Sequence, residues 1–396
     1  MGVFIAGKGI ITSIGANTQE NFASLIAAKS GIGNMEILQS NFAGVIPVAE
    51  VKLTNSQLAA IAGIDAHSPR TALLSTIAAK EAVLNSGIDL KKWRVGFLSA
   101  NTVGGMDKTE QRYQEYLTDK SGAELTGVVQ HDCGTITELA ADALGIRHFV
   151  TTISTACSSS ANSIMYAQRL IQAGIIDVAV AGGADSLSRF TLNGFNALMI
   201  LDRKLCTPFD EHRNGLNLGE GAAYLVLASE KVMNDAKREK KYVLSGYANA
   251  NDAFHQTASS PEGKGNFLAM TKALEVGKLL PEEISYINLH GTGTNNNDVS
   301  EGTAIQRIFK KVPPASSTKS FTGHTLGASG SVEAVYSLLA MEHGVVYPNL
   351  RFATPMKELN FTPVTTLLEN ADIKHVMSNS FGFGGNCSSL IFSKCS

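Results

Sequence analysis

Short apolar runs rich in β-branched residues alternate along this chain with segments whose apolar positions recur every three or four residues. Residues 3–11, 95–99 and 149–154 read as strands, and residues 69–86 and 136–144 as helices. This alternation is the order of an α/β fold. A further helix is expected over residues 158–173, where Ala161, Ile164, Met165, Leu170 and Ile171 share one stripe and Gln168 is its polar exception. Gly174 closes that helix ahead of a buried strand at 177–181. The charged stretch 235–241 divides the chain into two halves, 1–235 and 236–396. With no Pro/Ser-rich linker between them, they are expected to form one globule.

A faint repeat runs across that division. Thr155-Ala156-Cys157-Ser158-Ser159-Ser160-Ala161 follows a strand and leads into an amphipathic helix, and Thr322-Gly323-His324-Thr325-Leu326-Gly327-Ala328 leads into a second one at 332–343. A thiol and an imidazole would then occupy equivalent positions of two related halves and could converge on one site. Chance similarity of two short helices is the alternative.

Composition narrows the function classes. The chain has 396 residues, 44% of them hydrophobic, enough for a large core. A charged fraction of 17% and a net charge of -2 give no reason to expect nucleic acid or an anionic membrane as partner. Apolar runs such as 175–181, interrupted by Asp177, are far shorter than the roughly 20 residues of a membrane span. The first residues, with a lone Lys8, lack the charged start of a secretory signal. Five cysteines without CxxC spacing indicate neither a disulfide framework nor a zinc site. A cytoplasmic protein is expected.

The candidate chemistry begins at Cys157. It follows a strand and sits at the first turn of a helix, whose free N–H groups and dipole favour thiolate, and Ala156, Ser158, Ser159 and Ser160 leave a substrate room to approach. A buried structural cysteine is the usual case, and this local context reverses it. His290 ends a strand at 284–289 and enters the turn Gly291-Thr292-Gly293-Thr294, while His324 lies five residues after Lys319 and just before a helix. No metal-ligand spacing joins the two histidines, so both read as hydrogen-bond donors. One thiolate and two neutral imidazoles suit a decarboxylative condensation: the sulfur holds an acyl group, and the imidazoles stabilise the enolate left when a malonyl thioester loses CO2. The turn Asn379-Ser380-Phe381-Gly382-Phe383-Gly384-Gly385-Asn386 enters a strand, not a helix, and is no dinucleotide fingerprint. Its glycines would let a backbone N–H reach a substrate carbonyl and form an oxyanion hole with the amide of Cys157, unless the segment is only a tight turn.

Together these motifs resemble the β-ketoacyl-acyl carrier protein synthases of the elongating type. The resemblance runs through Thr155-Ala156-Cys157-Ser158-Ser159, His290 to Thr294, Lys319 to His324 with Gly327-Ala328, and Asn379 to Gly385; Pro208-Phe209-Asp210 with Arg213 and Gly219-Glu220-Gly221 is a further shared signature. It implies a thiolase-like fold, two related halves in a five-layer αβαβα sandwich. It also implies a dimer, either of identical chains or with a related chain. Cys157 would be the nucleophile, with His290 and His324 the donors to the malonyl carbonyl. Lys319 would support His324, with Glu301 as its polar partner. Thr292 and Thr294 would contact the phosphopantetheine arm, and Phe383 would gate the site. The partner would be an acyl carrier protein, which brings the pantetheine arm, and no metal or other cofactor would be needed. Carrier proteins of this kind are acidic, so a positive patch is expected at the pocket mouth, with Arg203 and Lys204 as members. Two departures stand out. Asn295-Asn296-Asn297 replaces the usual Pro-containing stretch, and Cys387 a usual Asn. A non-catalytic chain-length-factor-like pairing subunit is the rival reading, since such subunits share the fold but usually lack the cysteine. A thiolase or initiating synthase would lack the second histidine, and a pure carrier-binding module is a third rival.

Overall fold

Two five-stranded mixed sheets organise the chain, and a computed structural model describes residues 2–118 and 126–395 of it. Met1 and Ser396, the outer limits of the two expected halves, lie outside the described residues. The first sheet contains β1 (Val3–Thr12), β2 (Val95–Ala100), β3 (Phe149–Ile153), β4 (Val178–Asp185) and β5 (Gly221–Ser229), in the order β1-β5-β4-β2-β3. The second contains β6 (Tyr242–Asn251), β7 (Tyr286–Asn288), β8 (Ala315–Ser316), β9 (His375–Phe381) and β10 (Asn386–Lys394), in the order β6-β10-β9-β7-β8. In each sheet the first two pairings are antiparallel and the last two parallel. The repeat suspected from short motifs therefore extends to the whole topology.

Helices α1 (Arg70–Ser86) and α2 (Cys133–Leu144) cover the outer face of the first sheet. A shorter helix, α4 (Arg189–Ala197), lies beyond β4 near the site described below. Helices α5 (Lys264–Gly277) and α6 (Asn295–Ile308) lie on the outer side of the second sheet. Between the sheets, packed on both and on each other, lie α3 (Ser159–Gln172) and α7 (Ser329–His343). The result is a five-layer αβαβα sandwich, as expected from the resemblance.

Burial explains why α7 gives a weak helical stripe. Every residue from Ser329 to Met341 is buried, so no face needs to be polar. The helix begins earlier than the apolar pattern suggests because its first turn packs directly on α3. A Cβ on Gly330 would sit 2.7 Å from the Ala161 backbone nitrogen, so any larger residue would push the two central helices apart. Gln168, the polar exception on α3, is buried and donates to the Leu244 carbonyl at 3.3 Å, tying this helix to the first strand of the second sheet. Strand β4 runs on to Asp185, past the expected end at 181, because its glycine pair stays paired with β5. No helix among the described residues is long and apolar enough to cross a membrane.

Candidate active site

The repeat places Cys157 between β3 and α3, and His324 between β8 and α7. The chain turns sharply at Ala156, whose φ of 53° lies in the left-handed region that a side chain adopts only at a cost. Helix α3 starts at Ser159 with Ser158 as its cap, so Cys157 stands just outside the helix and not within its first turn. Burial is then decisive. It pushes the Cys157 thiol up to about 11, although the Lys319 charge and the backbone N–H groups of Phe383 and Cys157 pull the other way. Burial thus favours a resting thiol over the expected thiolate, because these pulls do not offset desolvation. Alkylation of Cys157 by iodoacetamide, followed by peptide mass, is expected to rise about tenfold per pH unit between about pH 7 and pH 10. A plateau below pH 8 would show a preformed thiolate and refute this.

Cys157 Sγ lies 3.0 Å from His324 Nε2, and the two imidazole rings meet edge to face with centroids 5.5 Å apart. The His324 tautomer follows from its neighbours. Its Nδ1 accepts the Leu326 backbone N–H at 3.2 Å and faces the Ser329 hydroxyl at 2.9 Å, so the proton sits on Nε2 and points at the sulfur. His290 is set in the same way, because the Lys319 ammonium, which can only donate, lies 3.2 Å from its Nδ1. Burial first, and the Lys319 charge second, hold both imidazoles well below their usual range, so both are neutral. Ligand atoms of Cys157, His290 and His324 lie within 4.8 Å of one another, a spacing that could hold a metal ion. Neither ring offers it a free lone pair, since each Nδ1 is engaged and each Nε2 protonated. The two imidazoles are arranged to donate hydrogen bonds.

Two buried carboxylates hold the turn that follows His290. Glu301 accepts the backbone N–H groups of His290 and Gly291, both at 2.9 Å, and Asp298 accepts those of Thr292 and Gly293 at 3.0 and 3.2 Å. Burial raises the Glu301 carboxyl to about 7 even so. Arg213, from the shared signature, donates to the Thr294 and Asn295 carbonyls and supports this turn without entering the chemistry.

These groups open into a cavity of about 210 Å³. Phe195, Met199 and Ile200 form an apolar side, and Thr292, Thr294 and the asparagines 295–297 a neutral polar side. Phe383 lines the same cavity as Cys157, its ring stacked on Phe195 of α4 at 5.8 Å. Gly382 permits the loop's approach to Cys157, because a Cβ there would lie 3.0 Å from the Cys157 nitrogen.

The N-terminal-domain model of the β-ketoacyl synthases matches residues 2–232, and the C-terminal-domain model residues 242–353. The chain belongs to the β-ketoacyl synthase family. A 3-oxoacyl-[acyl-carrier-protein] synthase 2 of Staphylococcus aureus (strain COL) is 30% identical over 99% of this chain and 98% of the relative. Among solved structures, the ishigamide ketosynthase/chain length factor is 28% identical with a TM-score of 0.92, covering 100% of this chain and 99% of that one. A ketosynthase in complex with its chain length factor from Xenorhabdus doucetiae is 31% identical with a TM-score of 0.84, covering 100% and 98%. The thiolase-like fold and the transferase class follow.

Within this β-ketoacyl synthase, two expected pairings are corrected. Lys319 contacts His290, not His324, and its carboxylate partner is Glu333, not Glu301. Glu301 is engaged instead by the backbone below His290. Sequence reasoning missed Glu333, which lies one turn into α7 and aims back at a lysine 14 residues earlier. An acid inside the buried stretch 329–341, otherwise made of apolar and small residues and one tyrosine, was the available signal. Ser329 and Phe195 were also missed, because a serine at a helix start and a phenylalanine on an amphipathic helix are ordinary there. Cys387 points its thiol at Asn266 Oδ1, 3.1 Å away, and is not a cavity-lining residue.

Proposed function

We propose that this chain extends acyl chains by condensing an acyl thioester with a malonyl thioester, both delivered on an acyl carrier protein. The observation that carries this reading is a buried thiol facing two neutral imidazoles that can present N–H groups, in a cavity with an apolar and an uncharged polar side. In the first step Cys157 attacks the acyl thioester. A carbon–sulfur bond forms at Cys157, the bond to the carrier sulfur breaks, and the thiol proton leaves with the carrier thiolate. One thiol replaces another in this exchange, so no external base is consumed overall. The backbone N–H groups of Cys157 and Phe383 would hold the oxygen of that acyl carbonyl.

In the second step the malonyl carboxylate leaves as CO2 and its electron pair becomes an enolate. The Nε2–H groups of His290 and His324 stabilise the enolate oxygen, and its carbon attacks the acyl group on Cys157. The carbon–sulfur bond breaks, the sulfur takes up a proton, and a 3-oxoacyl thioester remains on the carrier. Lys319 keeps His290 in the donating tautomer, Thr292 and Thr294 offer hydroxyls to the pantetheine arm, and Phe383 gates it. A neutral cavity fits that arm, whose polar groups are amides and hydroxyls. Exposed Arg203 and Lys204 follow the cavity-lining segment 199–200 and are read as part of an acidic carrier's landing site. The edge strand β3, with Val150 at 38% exposure, favours pairing with a second chain, identical or related. Neither step calls for a metal or a further cofactor, and we place the enzyme in the cytoplasm, in fatty-acid or polyketide synthesis.

Intact mass of the protein after incubation with a panel of acyl-carrier thioesters tests the reading. An acyl-sized gain mapping to the Cys157 peptide and discharged by malonyl carrier is the expected result. No gain with any donor, or a gain at another cysteine, would favour the non-catalytic pairing subunit, which the intact Cys157–His324 contact argues against.

A further inference from the structure

Residues 251–260 pass over the cavity between β6 and α5, and the condensation derived above makes no use of them. Thr257, Ala258 and Ser259 face the cavity as its roof. On one side the roof is tied to the glycine loop: Asp252 N–H donates to the Gly385 carbonyl at 2.8 Å, Gly384 N–H to the Gln256 carbonyl at 2.7 Å, and Asn251 Nδ2 to the Gly384 carbonyl at 3.1 Å. On the other side it is tied by one side chain. Asn296, in the first turn of α6, accepts the Ser259 N–H on Oδ1 at 2.7 Å and donates from Nδ2 to the Ser259 carbonyl at 3.0 Å. One carboxamide thus binds both backbone polar groups of a single residue, much as a neighbouring strand would.

An exposed side-chain hydrogen bond is usually worth little. Three features set this one apart. It is two-pronged, it joins two segments that both line the cavity, and it holds the segment whose Gln256 carbonyl is bonded to the loop that carries Phe383. It also falls within the asparagine run 295–297, where this chain departs from the pattern it otherwise resembles. Only a carboxamide of this length serves both partners. Aspartate would lose the donor to the Ser259 carbonyl, and an aliphatic residue would lose both bonds.

We propose that Asn296 is a positioning residue that latches the roof segment across the pantetheine tunnel, which encloses the substrate arm and, through Gln256, steadies the glycine loop over Cys157. The proposal rests on the carrier-thioester reading for its substrate. With the latch in place the arm lies between Thr292 and Thr294 on one wall and Thr257 and Ser259 above. Without it the roof is free to move with the glycine loop, so the arm is held less tightly and the sulfur is less shielded.

The test compares the full-length chain with Asn296→Ala and Asn296→Asp. In Asn296→Ala the KM for malonyl carrier is expected to rise about three- to tenfold, the factor that one or two neutral hydrogen bonds represent, with kcat falling much less. Iodoacetamide alkylation of Cys157 at fixed pH is expected to accelerate by a similar factor, and Asn296→Asp to lie between wild type and alanine in both readouts. Asn296 is exposed and Asn296→Asp keeps the bond from the Ser259 N–H, so the comparison does not depend on a variant with a disturbed core. Unchanged alkylation in Asn296→Ala would overturn the latch. Because alkylation needs no carrier substrate, it decides the latch even if the chain condenses none of the thioesters offered, a result that would sink the functional reading alone.

Discussion

Alanine at position 157 is expected to abolish the acyl-enzyme outright, whereas His290→Ala is expected to leave acylation intact and to slow condensation by about two to three powers of ten. The difference follows from where each group acts. Cys157 supplies the sulfur that must carry the acyl chain, and no other cysteine lines the cavity. His290 carries its proton on Nε2 because Lys319 occupies Nδ1, and its N–H is needed only when charge develops on the malonyl oxygen. His324 differs from His290 because its Nε2 is already bonded to the sulfur at 3.0 Å. His324→Ala should therefore impair both half-reactions. Intact mass reads the acylation step, and chromatography of the 3-oxoacyl carrier reads condensation. Normal condensation by His290→Ala would remove this imidazole from the chemistry.

The second large effect concerns the ion pair beneath the site. Lys319 and Glu333 are both buried, and Glu333 is held near Lys319 by α7. Burial raises the Glu333 carboxyl to about 7, against the pull of the Lys319 charge, which shows how costly charge is at this depth. Glu333→Ala would leave the ammonium without its counter-ion, and removing one member of a buried pair typically destabilises by about 3–5 kcal/mol. Replacing both members together, as Lys319→Met with Glu333→Leu, is expected to restore most of that stability, because no lone charge remains. Activity should not return with it, since His290 Nδ1 would lack the donor that fixes its tautomer. Urea unfolding gives the stability and product formation the activity. A stability loss below about 1 kcal/mol in Glu333→Ala would mean that water or a rearranged neighbour already compensates the lysine.

Much of this enzyme was legible along the chain. Strand and helix periods marked most of the elements that position the site, and the small residues around Cys157 together with the glycines after His290 and around Phe383 marked its turns. Those signals are local: backbone freedom, capping and amphipathic period depend on residues within a few positions of one another. The protonation state of Cys157, the tautomers of His290 and His324, and the partner of Lys319 were not legible in this way. Desolvation of the thiol depends on the packing of two sheets around α3 and α7. The Lys319–Glu333 pair needs a turn to fold back on itself, and the Asn296–Ser259 latch joins residues 37 positions apart. The sequence by itself determined which chemical groups are present and which local turns present them. Tertiary structure alone decided how deeply each is buried and what it faces, because dielectric environment and hydrogen-bond partners are set by segments that meet only once the chain has folded.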